Sequence, residues 1–266
     1  MSDDPVTLPK LSIGVPVLNG ERWMRRSIES ALSQSFTDFE LIISDNDSSD
    51  ATAAICREYA AADPRIRYVR QTNRLSAAGN FRFVLSEAKA PYFVWLAMDD
   101  WWREGFLERA TAILDRDPGV VMVFSYFQKY DWAAGELRPI EYPVASHGAP
   151  RLRLLTRILH PVSNAIYGVI RREAIDLDTM LPIDFFDLLF LNDLAVKGDM
   201  AVLSDDLFVA GWKPFPDARP IRVGPYFRQM WRLIRRNFRG ADRLFLSLFL
   251  VRQVALFYRQ YKGRIR

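Results

Sequence analysis

The sequence predicts an α/β protein with a mostly parallel sheet covered by helices on both faces. Short apolar segments alternate with amphipathic segments of about a dozen residues as far as residue 126, which is typical of repeated strand-helix units. Several apolar segments end abruptly in polar residues, as buried parallel strands do. The chain has one cysteine, Cys56, which excludes an internal disulfide framework and a cysteine-based zinc site.

The first half of the chain supplies the regular part of this pattern. Strands are predicted at 10–18, 39–44, 66–70, 92–97 and 120–126. Helices are predicted at 21–33, from the turn after residue 50 to about residue 61, at 76–88 and at 104–116. A strand followed by a helix, repeated in this way, favours parallel pairing.

Beyond residue 126 the pattern is less regular. We predict a loop or irregular hairpin at 127–149, a helix at 150–159, a strand at 165–171, a helix at 184–197 and one or two strands at 200–209. Pro214, Pro216 and Pro220 indicate a linker. We therefore expect a main domain over 1–215 and a basic, α-helical C-terminal extension over 216–266.

Polar side chains follow three of the predicted strands. They are Asn19 with Glu21, the segment 45–50, and Asp99 with Asp100. Because the carboxyl ends of parallel strands meet at one edge of a sheet, these segments should converge on a ligand. The adjacent carboxylates of Asp99 and Asp100 repel each other, and a hard cation shared with a phosphate would relieve this repulsion. A helix N-cap is the alternative explanation for either aspartate.

Three common motifs are missing from the sequence. It contains no Gly-x-x-x-x-Gly-Lys-Ser/Thr loop, no Gly-x-Gly-x-x-Gly after a strand and no Gly-x-Ser-x-Gly elbow. This argues against P-loop NTPases, dinucleotide enzymes and α/β-hydrolases.

Six ordered segments resemble the motifs of the inverting family 2 glycosyltransferases, which have the GT-A fold. Val-Pro-Val-Leu-Asn-Gly-Glu at 15–21 is similar to the Val-Pro-x-Tyr-Asn opening of the family, and Ser-Asp-Asn-Asp-Ser-Ser-Asp-Ala-Thr at 44–52 is similar to its Asp-Asp-Gly-Ser-x-Asp-x-Thr turn. The other four segments are 28–36, 73–80, 98–100 and 167–173. The resemblance extends from residue 11 to about residue 209. It implies that 1–215 is a GT-A catalytic domain.

The resemblance also implies roles for individual residues. The nucleotide-sugar site would comprise Pro16, Val17, Asn19, Glu21, Asp45, Asn80 and Asp99. Asp45 would accept a hydrogen bond from an N–H of the base. Asp99 and Asp100 would hold Mn²⁺ or Mg²⁺, since Ala97 stands where many relatives have a first acid.

The acceptor side is less sharply defined by the resemblance. Asp187 would be the base that deprotonates the acceptor hydroxyl, by its distance from Gly198, with Asp184 and Asp193 as alternatives. Trp101 and His160 are weaker acceptor candidates. A core tryptophan and a structural histidine are the alternative explanations for these two residues.

The net charge of +4 is unevenly distributed. Residues 225–266 carry 11 basic residues against one acidic residue, so this part has a charge of +10 and the rest has −6. A helix at 226–238 would place Phe227, Met230, Trp231, Ile234 and Phe238 on one face and arginines on the other. This pattern is typical of a helix on an anionic membrane surface, although the apolar face could instead pack on the domain or on a second subunit of a homodimer.

The sequence therefore predicts a metal-dependent hexosyltransferase-like enzyme. It would move a sugar from a UDP- or GDP-sugar to a hydroxyl of a glycan or polyprenyl-linked acceptor, in cell-surface polysaccharide or glycoconjugate assembly. The N-terminus lacks the features of a signal peptide, so we expect a cytoplasmic protein, peripheral on the inner face of the cell membrane. We expect no nucleic acid partner. The alternatives are a sugar-phosphate nucleotidyltransferase and a non-enzymatic nucleic-acid-binding protein that uses the basic tail.

Overall fold

The computed structural model describes residues 8–212 and 221–260. Its strands are β1 (Leu11–Val17), β2 (Phe39–Asp45), β3 (Ile66–Arg70), β4 (Tyr92–Trp95), β5 (Trp101–Trp102), β6 (Val120–Asp131), β7 (Glu136–Leu137), β8 (Val169–Arg171) and β9 (Asp199–Trp212). Its α-helices are α1 (Met24–Leu32), α2 (Thr52–Ala62), α3 (Ala77–Glu87), α4 (Phe106–Arg116), α5 (Pro150–Leu159), α6 (Phe186–Lys197), α7 (Val223–Asn237) and α8 (Gly240–Gln260). Short 3-10 helices cover Ser163–Tyr167, Arg172–Ala174 and Leu177–Thr179.

The described strands form one nine-stranded sheet. Their order is β3-β2-β1-β4-β8-β6-β9-β5, with β7 paired to β6. The first four strands are parallel, as the alternation of strands and helices predicts, and β6 is parallel to β9. The pairs β4–β8, β8–β6, β9–β5 and β6–β7 are antiparallel, so the complete sheet is mixed.

Helices cover both faces of the sheet because its central strands are apolar on both sides. In β2, Leu41 and Ile43 lie in one core cluster together with residues of α1, α2 and α4. Ile42 lies in a second cluster with residues of α3 and α6. Alternate side chains of a strand point to opposite faces, so a continuous apolar run requires a helical layer on each side.

Three elements differ between the prediction and the structure. Strand β6 continues five residues beyond the predicted end at residue 126, because it pairs with β9 along most of its length. The predicted strand 165–171 is divided into a 3-10 helix and the short strand β8. The two-residue strand β5 is not predicted, since two residues are too few to show a periodic pattern.

The apolar face predicted for contact with a membrane is instead packed inside the protein. Phe227, Met230, Ile234 and Phe238 are at most 9% exposed and share a third core cluster with residues of α5, α6 and α8. Of the five predicted residues, only Trp231 is substantially exposed, at 42%. The prediction that this face of α7 meets a membrane is therefore wrong, because neighbouring helices cover it.

Pro214, Pro216 and Pro220 of the predicted linker lie outside the described residues. No helix within the described parts of the chain is long and apolar enough to cross a membrane.

Candidate active site

The loop after β1 and the turn after β2 interlock at the carboxyl edge of the sheet. The Asn19 side-chain oxygen accepts from Ser49 N at 2.9 Å, and Asn19 N donates to Ser48 Oγ at 2.9 Å. The Glu21 carboxylate accepts from Ala51 N at 2.9 Å. Asn19 adopts a φ of +53°, a conformation that asparagine tolerates better than most residues. Two segments distant in sequence thus form one preorganised surface, as the strand-end prediction required.

Asp45 holds the turn after β2 in shape. Its side chain has no exposed surface, and its two oxygens accept from Ser48 N at 2.8 Å and from the Tyr68 hydroxyl at 2.7 Å. Burial and this carboxylate raise the pKa of Tyr68. These contacts show that the Asp45 carboxylate stabilises the turn after β2. Its hydrogen bond to the base of the nucleotide stays a prediction.

Three other predicted nucleotide-site residues lie beneath the loops. Pro16 and Val17 are buried in β1, and the Val17 carbonyl accepts from Asn46 N at 2.8 Å. Asn80 is buried and makes two hydrogen bonds to Ser44. Its amide oxygen accepts from the Ser44 hydroxyl at 2.6 Å, and its amide nitrogen donates to the Ser44 carbonyl at 3.1 Å. The Asn80 side chain and the Val17 backbone thus hold the ends of β1 and β2 in place, and Pro16 is buried in β1.

Polar residues of α1 and of the turn that follows it hold the segment after Asp100. Trp102 N donates to Ser30 Oγ at 3.3 Å. Gln34 is buried; its amide nitrogen donates to Arg103 O at 3.0 Å and its amide oxygen accepts from Leu107 N at 3.3 Å. Ser30 and Gln34, both in the segment 28–36, thus anchor the chain that follows Asp100 by satisfying buried backbone groups.

Strand β9 fixes Asp99 and Asp100 from the other side. Asp100 is 4% exposed and accepts from Gly211 N at 2.8 Å, whereas Asp99 is half-buried. A Cβ at position 211 would collide with the Asp99 backbone oxygen and lie 2.7 Å from Trp132 Nε1. Only glycine allows this close approach of the two backbones.

Tyr167 links the two acidic regions of the site. Burial, followed by the carboxylates of Asp100, Asp99 and Asp187, holds its pKa well above the ordinary tyrosine value. Tyr167 ends the 3-10 helix before β8, and its ring packs on Phe208 of β9 at 5.2 Å between centroids. Asp187 thus acts electrostatically on the same tyrosine as Asp99 and Asp100, although almost ninety residues of sequence separate it from them.

Asp187 lies in the first turn of α6. Burial raises the pKa of its carboxyl group, although the side chain keeps some exposed surface. The helix is entered through Phe185, whose φ is +62°. The Phe185 ring packs on Tyr226 of α7 at 5.8 Å and on Phe257 of α8 at 5.2 Å between centroids. The C-terminal helices therefore hold the strained backbone beside Asp187.

The other two candidate bases have different surroundings. Asp193 is 2% exposed and pairs with Lys197 at 2.6 Å and with Arg236 at 2.9 Å. Asp184 accepts from Arg222 N at 2.8 Å. The pair of Asp193 with Arg236 ties α6 to α7, and the bond of Asp184 ties the segment before α6 to Arg222. The burial of Asp187, which raises its pKa, and its effect on the pKa of Tyr167 favour it among the three.

Asp99 and Asp100 have the chemistry needed for a cation shared with a substrate. Within residues 8–212 and 221–260, no three His, Cys, Asp or Glu side chains are grouped so that they could hold a metal ion by themselves. Mg²⁺ is commonly bound by only one or two carboxylates together with substrate phosphates, and Mn²⁺ also prefers oxygen ligands. Two adjacent carboxylates in the turn between β4 and β5 therefore fit a cation that arrives with a diphosphate.

The two weaker acceptor candidates are not brought into this cluster by any described contact. Trp101 is 9% exposed, and the Arg26 guanidinium carbon covers its ring at 3.4 Å from the centroid. Its burial fits the alternative of a core tryptophan, and a role for Trp101 in acceptor binding stays a prediction. His160 is exposed at the end of α5, where its backbone N–H donates to the Thr156 carbonyl at 2.9 Å. A role for His160 in acceptor binding stays a prediction.

Sequence reasoning missed three residues that shape the site. Tyr167 lies within a segment used for the family resemblance, but nothing in the sequence shows that three distant carboxylates raise its pKa. Gly211 is an isolated glycine in a strand pattern, which is the sequence signal of a close approach between two backbones. Tyr68 has no local signal, because its partner Asp45 is on another strand.

Comparison with known proteins identifies the family of the chain. The sequence model named Glycosyl transferase family 2 matches residues 12–176, more than half of the chain. The GalNAc(5)-diNAcBac-PP-undecaprenol beta-1,3-glucosyltransferase of Campylobacter jejuni is 32% identical over 118 residues, which cover 44% of this chain and 38% of that protein. The chain matches its curated relatives over 14% to 41% of their own length.

Solved structures share the fold. S. aureus TarS 1-349 in complex with UDP-GlcNAc has a TM-score of 0.73 at 17% identity, covering 96% of this chain and 73% of that one. The mannosyltransferase PcManGT of Pyrobaculum calidifontis, in complex with GDP-Man and Mn²⁺, has a TM-score of 0.60 at 17% identity, covering 96% and 71%. The predicted GT-A fold is confirmed, and the chain belongs to glycosyl transferase family 2.

Proposed function

We propose that this chain is an inverting glycosyltransferase that moves a sugar from a nucleotide-sugar donor to a hydroxyl of a glycan or lipid-linked acceptor. The observation that carries the proposal is that Asp99, Asp100 and Asp187 all act electrostatically on the buried Tyr167 and raise its pKa. Two carboxylates suited to a donor diphosphate and a third whose burial suits it to remove a proton thus act on one buried side chain.

The donor would bind along the carboxyl edge of the sheet. The interlocked surface of Asn19, Glu21 and the turn 45–52 would receive the nucleoside, and Asp99 would approach its ribose. The solved neighbours with UDP-GlcNAc and with GDP-Man and Mn²⁺ support a nucleotide-sugar donor for this fold. Mn²⁺ or Mg²⁺, when bound at Asp99 and Asp100, would neutralise charge on the departing diphosphate.

Asp187 would act on the acceptor. Its carboxylate takes the proton of the acceptor hydroxyl, and the hydroxyl oxygen attacks the anomeric carbon from the side opposite the nucleoside diphosphate. The bond from that carbon to the phosphate oxygen breaks, and its electron pair leaves with the diphosphate. One such displacement inverts the configuration at the sugar carbon.

The acceptor and the cellular setting are part of the proposal. The Campylobacter jejuni relative is named for an undecaprenol-linked substrate, which supports a lipid-linked acceptor here. We place the enzyme in the cytoplasm, peripheral on the inner face of the cell membrane, and in polysaccharide or glycoconjugate assembly. Such a setting would bring a soluble donor and a lipid-linked acceptor to the same surface.

Replacing Asp100 with Asn tests the donor side. The amide oxygen can still accept from Gly211 N, so the fold should be kept while a negative charge is lost. We expect the gain in donor affinity produced by Mn²⁺ or Mg²⁺ to fall by about 10- to 100-fold. The measurement is calorimetric titration with UDP- and GDP-sugars, with and without the metal.

Asp178→Asn is the matched control, because the Asp178 side chain is 88% exposed. It should titrate like the wild type. If the wild type binds no nucleotide sugar under any condition, the proposed function is wrong. If Asp100→Asn keeps the full effect of the metal, the metal assignment alone is wrong.

A further inference from the structure

The outward side of α8 has an unusual composition for a surface helix. We call this side the outer face of α8, and its residues are Ala241, Leu244, Phe245, Leu248, Val251, Arg252, Ala255, Leu256, Tyr258 and Arg259. Leu244, Leu248 and Val251 are 65%, 62% and 61% exposed. The opposite side, with Leu246, Leu250 and Phe257, is packed in the core shared with α5, α6 and α7. Helix α8 is therefore apolar on both sides, although only one is covered by the described protein.

A helix that lies between a core and water normally has a polar outer side. Single exposed apolar residues are common, but the outer face of α8 has them at helical spacing, three or four residues apart, along most of a 21-residue helix. Contiguous apolar surface of this kind marks an interaction site. Something apolar should cover this face when the protein works.

The charges on and around this face indicate the nature of that partner. Its only charged residues are Arg252 and Arg259, and both are exposed. Residues 221–260 contain nine arginines and one acid, Asp242, which pairs with Arg151 at 2.8 Å. The partner should thus combine an apolar layer with negative charge.

A second copy of the chain does not meet this requirement. If two outer faces paired about a two-fold axis, Arg252 and Arg259 would be buried in an interface to which α8 brings no carboxylate besides Asp242. An anionic bilayer surface does meet it. Leucine, valine and aromatic side chains would enter the boundary between headgroups and acyl chains, while the arginine stems lie along it and their guanidinium groups reach the phosphates.

We propose that the outer face of α8 lies flat in the interface of an anionic lipid bilayer. This inference deepens the proposed function, because a lipid-linked acceptor would be presented at that surface. It differs from the sequence prediction in one essential way: the membrane-contacting side chains belong to α8, whereas those predicted on α7 are buried.

Vesicle flotation tests the proposal with the full-length protein. The wild type is mixed with vesicles of phosphatidylcholine alone or of phosphatidylcholine with phosphatidylglycerol. Two double variants are compared with it: Leu244→Gln with Leu248→Gln, and Arg252→Glu with Arg259→Glu. All four residues are exposed, so the fold should be kept, which melting curves would verify.

We expect the wild type to float with the anionic vesicles, and each double variant to bind them at least about tenfold more weakly. Leu137→Gln with Tyr142→Gln is the matched control, since these residues are 44% and 66% exposed and lie outside α8. The control should float like the wild type.

Three outcomes would overturn the proposal. The wild type could fail to float with anionic vesicles, or the leucine variant could bind like the wild type. Sedimentation could also show that the wild type is a dimer and the leucine variant a monomer. Transfer to a water-soluble acceptor is measured separately in the same samples. If the wild type floats but does not transfer sugar to the soluble acceptor, the result counts against the proposed function and leaves the membrane proposal for α8 intact.

Discussion

Replacing Asp187 with Asn should reduce sugar transfer by about 10²- to 10⁴-fold while donor affinity stays unchanged, because the variant loses the base that removes the acceptor proton. The amide keeps nearly the same size, and its oxygen can still accept from Leu188 N, which bonds Asp187 Oδ1 at 2.9 Å. The start of α6 should therefore keep its shape. The measurement is the rate of transfer at saturating donor together with a separate donor titration.

Asp184→Asn is the matched control for this variant. Asp184 lies three residues away in sequence and accepts from Arg222 N at 2.8 Å, a bond that the amide oxygen can also accept. We expect this control to transfer sugar at a rate close to that of the wild type. Equal activity of Asp187→Asn and the wild type would exclude Asp187 as the base. A loss of donor affinity in Asp187→Asn would instead place this residue on the donor side.

The pH dependence of the wild type should report the same group. Burial raises the pKa of Asp187 above the ordinary aspartate value of about 3.9. The base works only when ionised. We therefore expect kcat to be at its maximum above this raised pKa and to fall as the pH is lowered through it. A pH-rate profile at saturating substrates measures this acid limb. The residual activity of Asp187→Asn should not fall in this way at low pH. If the acid limb persists in this variant, the limb belongs to another group.

Local patterns were sufficient to predict most of the first half of the fold. Each strand-helix unit up to β4 has its own apolar run and its own turn residues, so neither distant sequence nor an unusual conformation is needed to recognise it. The convergence of Asn19 and Glu21 on the turn 45–52 follows from the same topology. What could be predicted was the set of loops that meet at one sheet edge.

The rest of the site depends on contacts that no local pattern contains. Gly211 supports Asp100 across more than one hundred residues, and Tyr226 and Phe257 brace Phe185 from the C-terminal helices. The same limit explains the wrong prediction for α7. Its apolar stripe was recognised correctly, but periodicity shows that a face will be covered and does not show what covers it.

Replacing Gly211 with Ala should disable the donor side of the site through backbone displacement. The added Cβ would collide with the Asp99 backbone oxygen and would lie 2.9 Å from Asp99 Cβ, so the 99–100 segment or β9 must move. Overpacking of this kind costs about 1–3 kcal/mol of folding free energy, and a misplacement of about 1 Å at a reacting site can cost about 10²-fold in rate. We therefore expect a lower melting temperature and at least a tenfold loss of metal-dependent donor affinity.

Gly224→Ala is the matched control, since a Cβ at that position of α7 meets nothing within 4 Å. Alanine is the better helix former, so this control should leave donor affinity unchanged and melt at the same or a higher temperature. The displacement in Gly211→Ala should act mainly on Asp99 and Asp100, because separate bonds hold Asn19 to the turn 45–52 on the nucleoside side. Binding of the nucleoside monophosphate without metal should therefore survive in Gly211→Ala, while the gain from adding metal and diphosphate is lost. Wild-type donor affinity in a folded Gly211→Ala protein would show that Asp99 and Asp100 need no such support, and would remove β9 from the donor site.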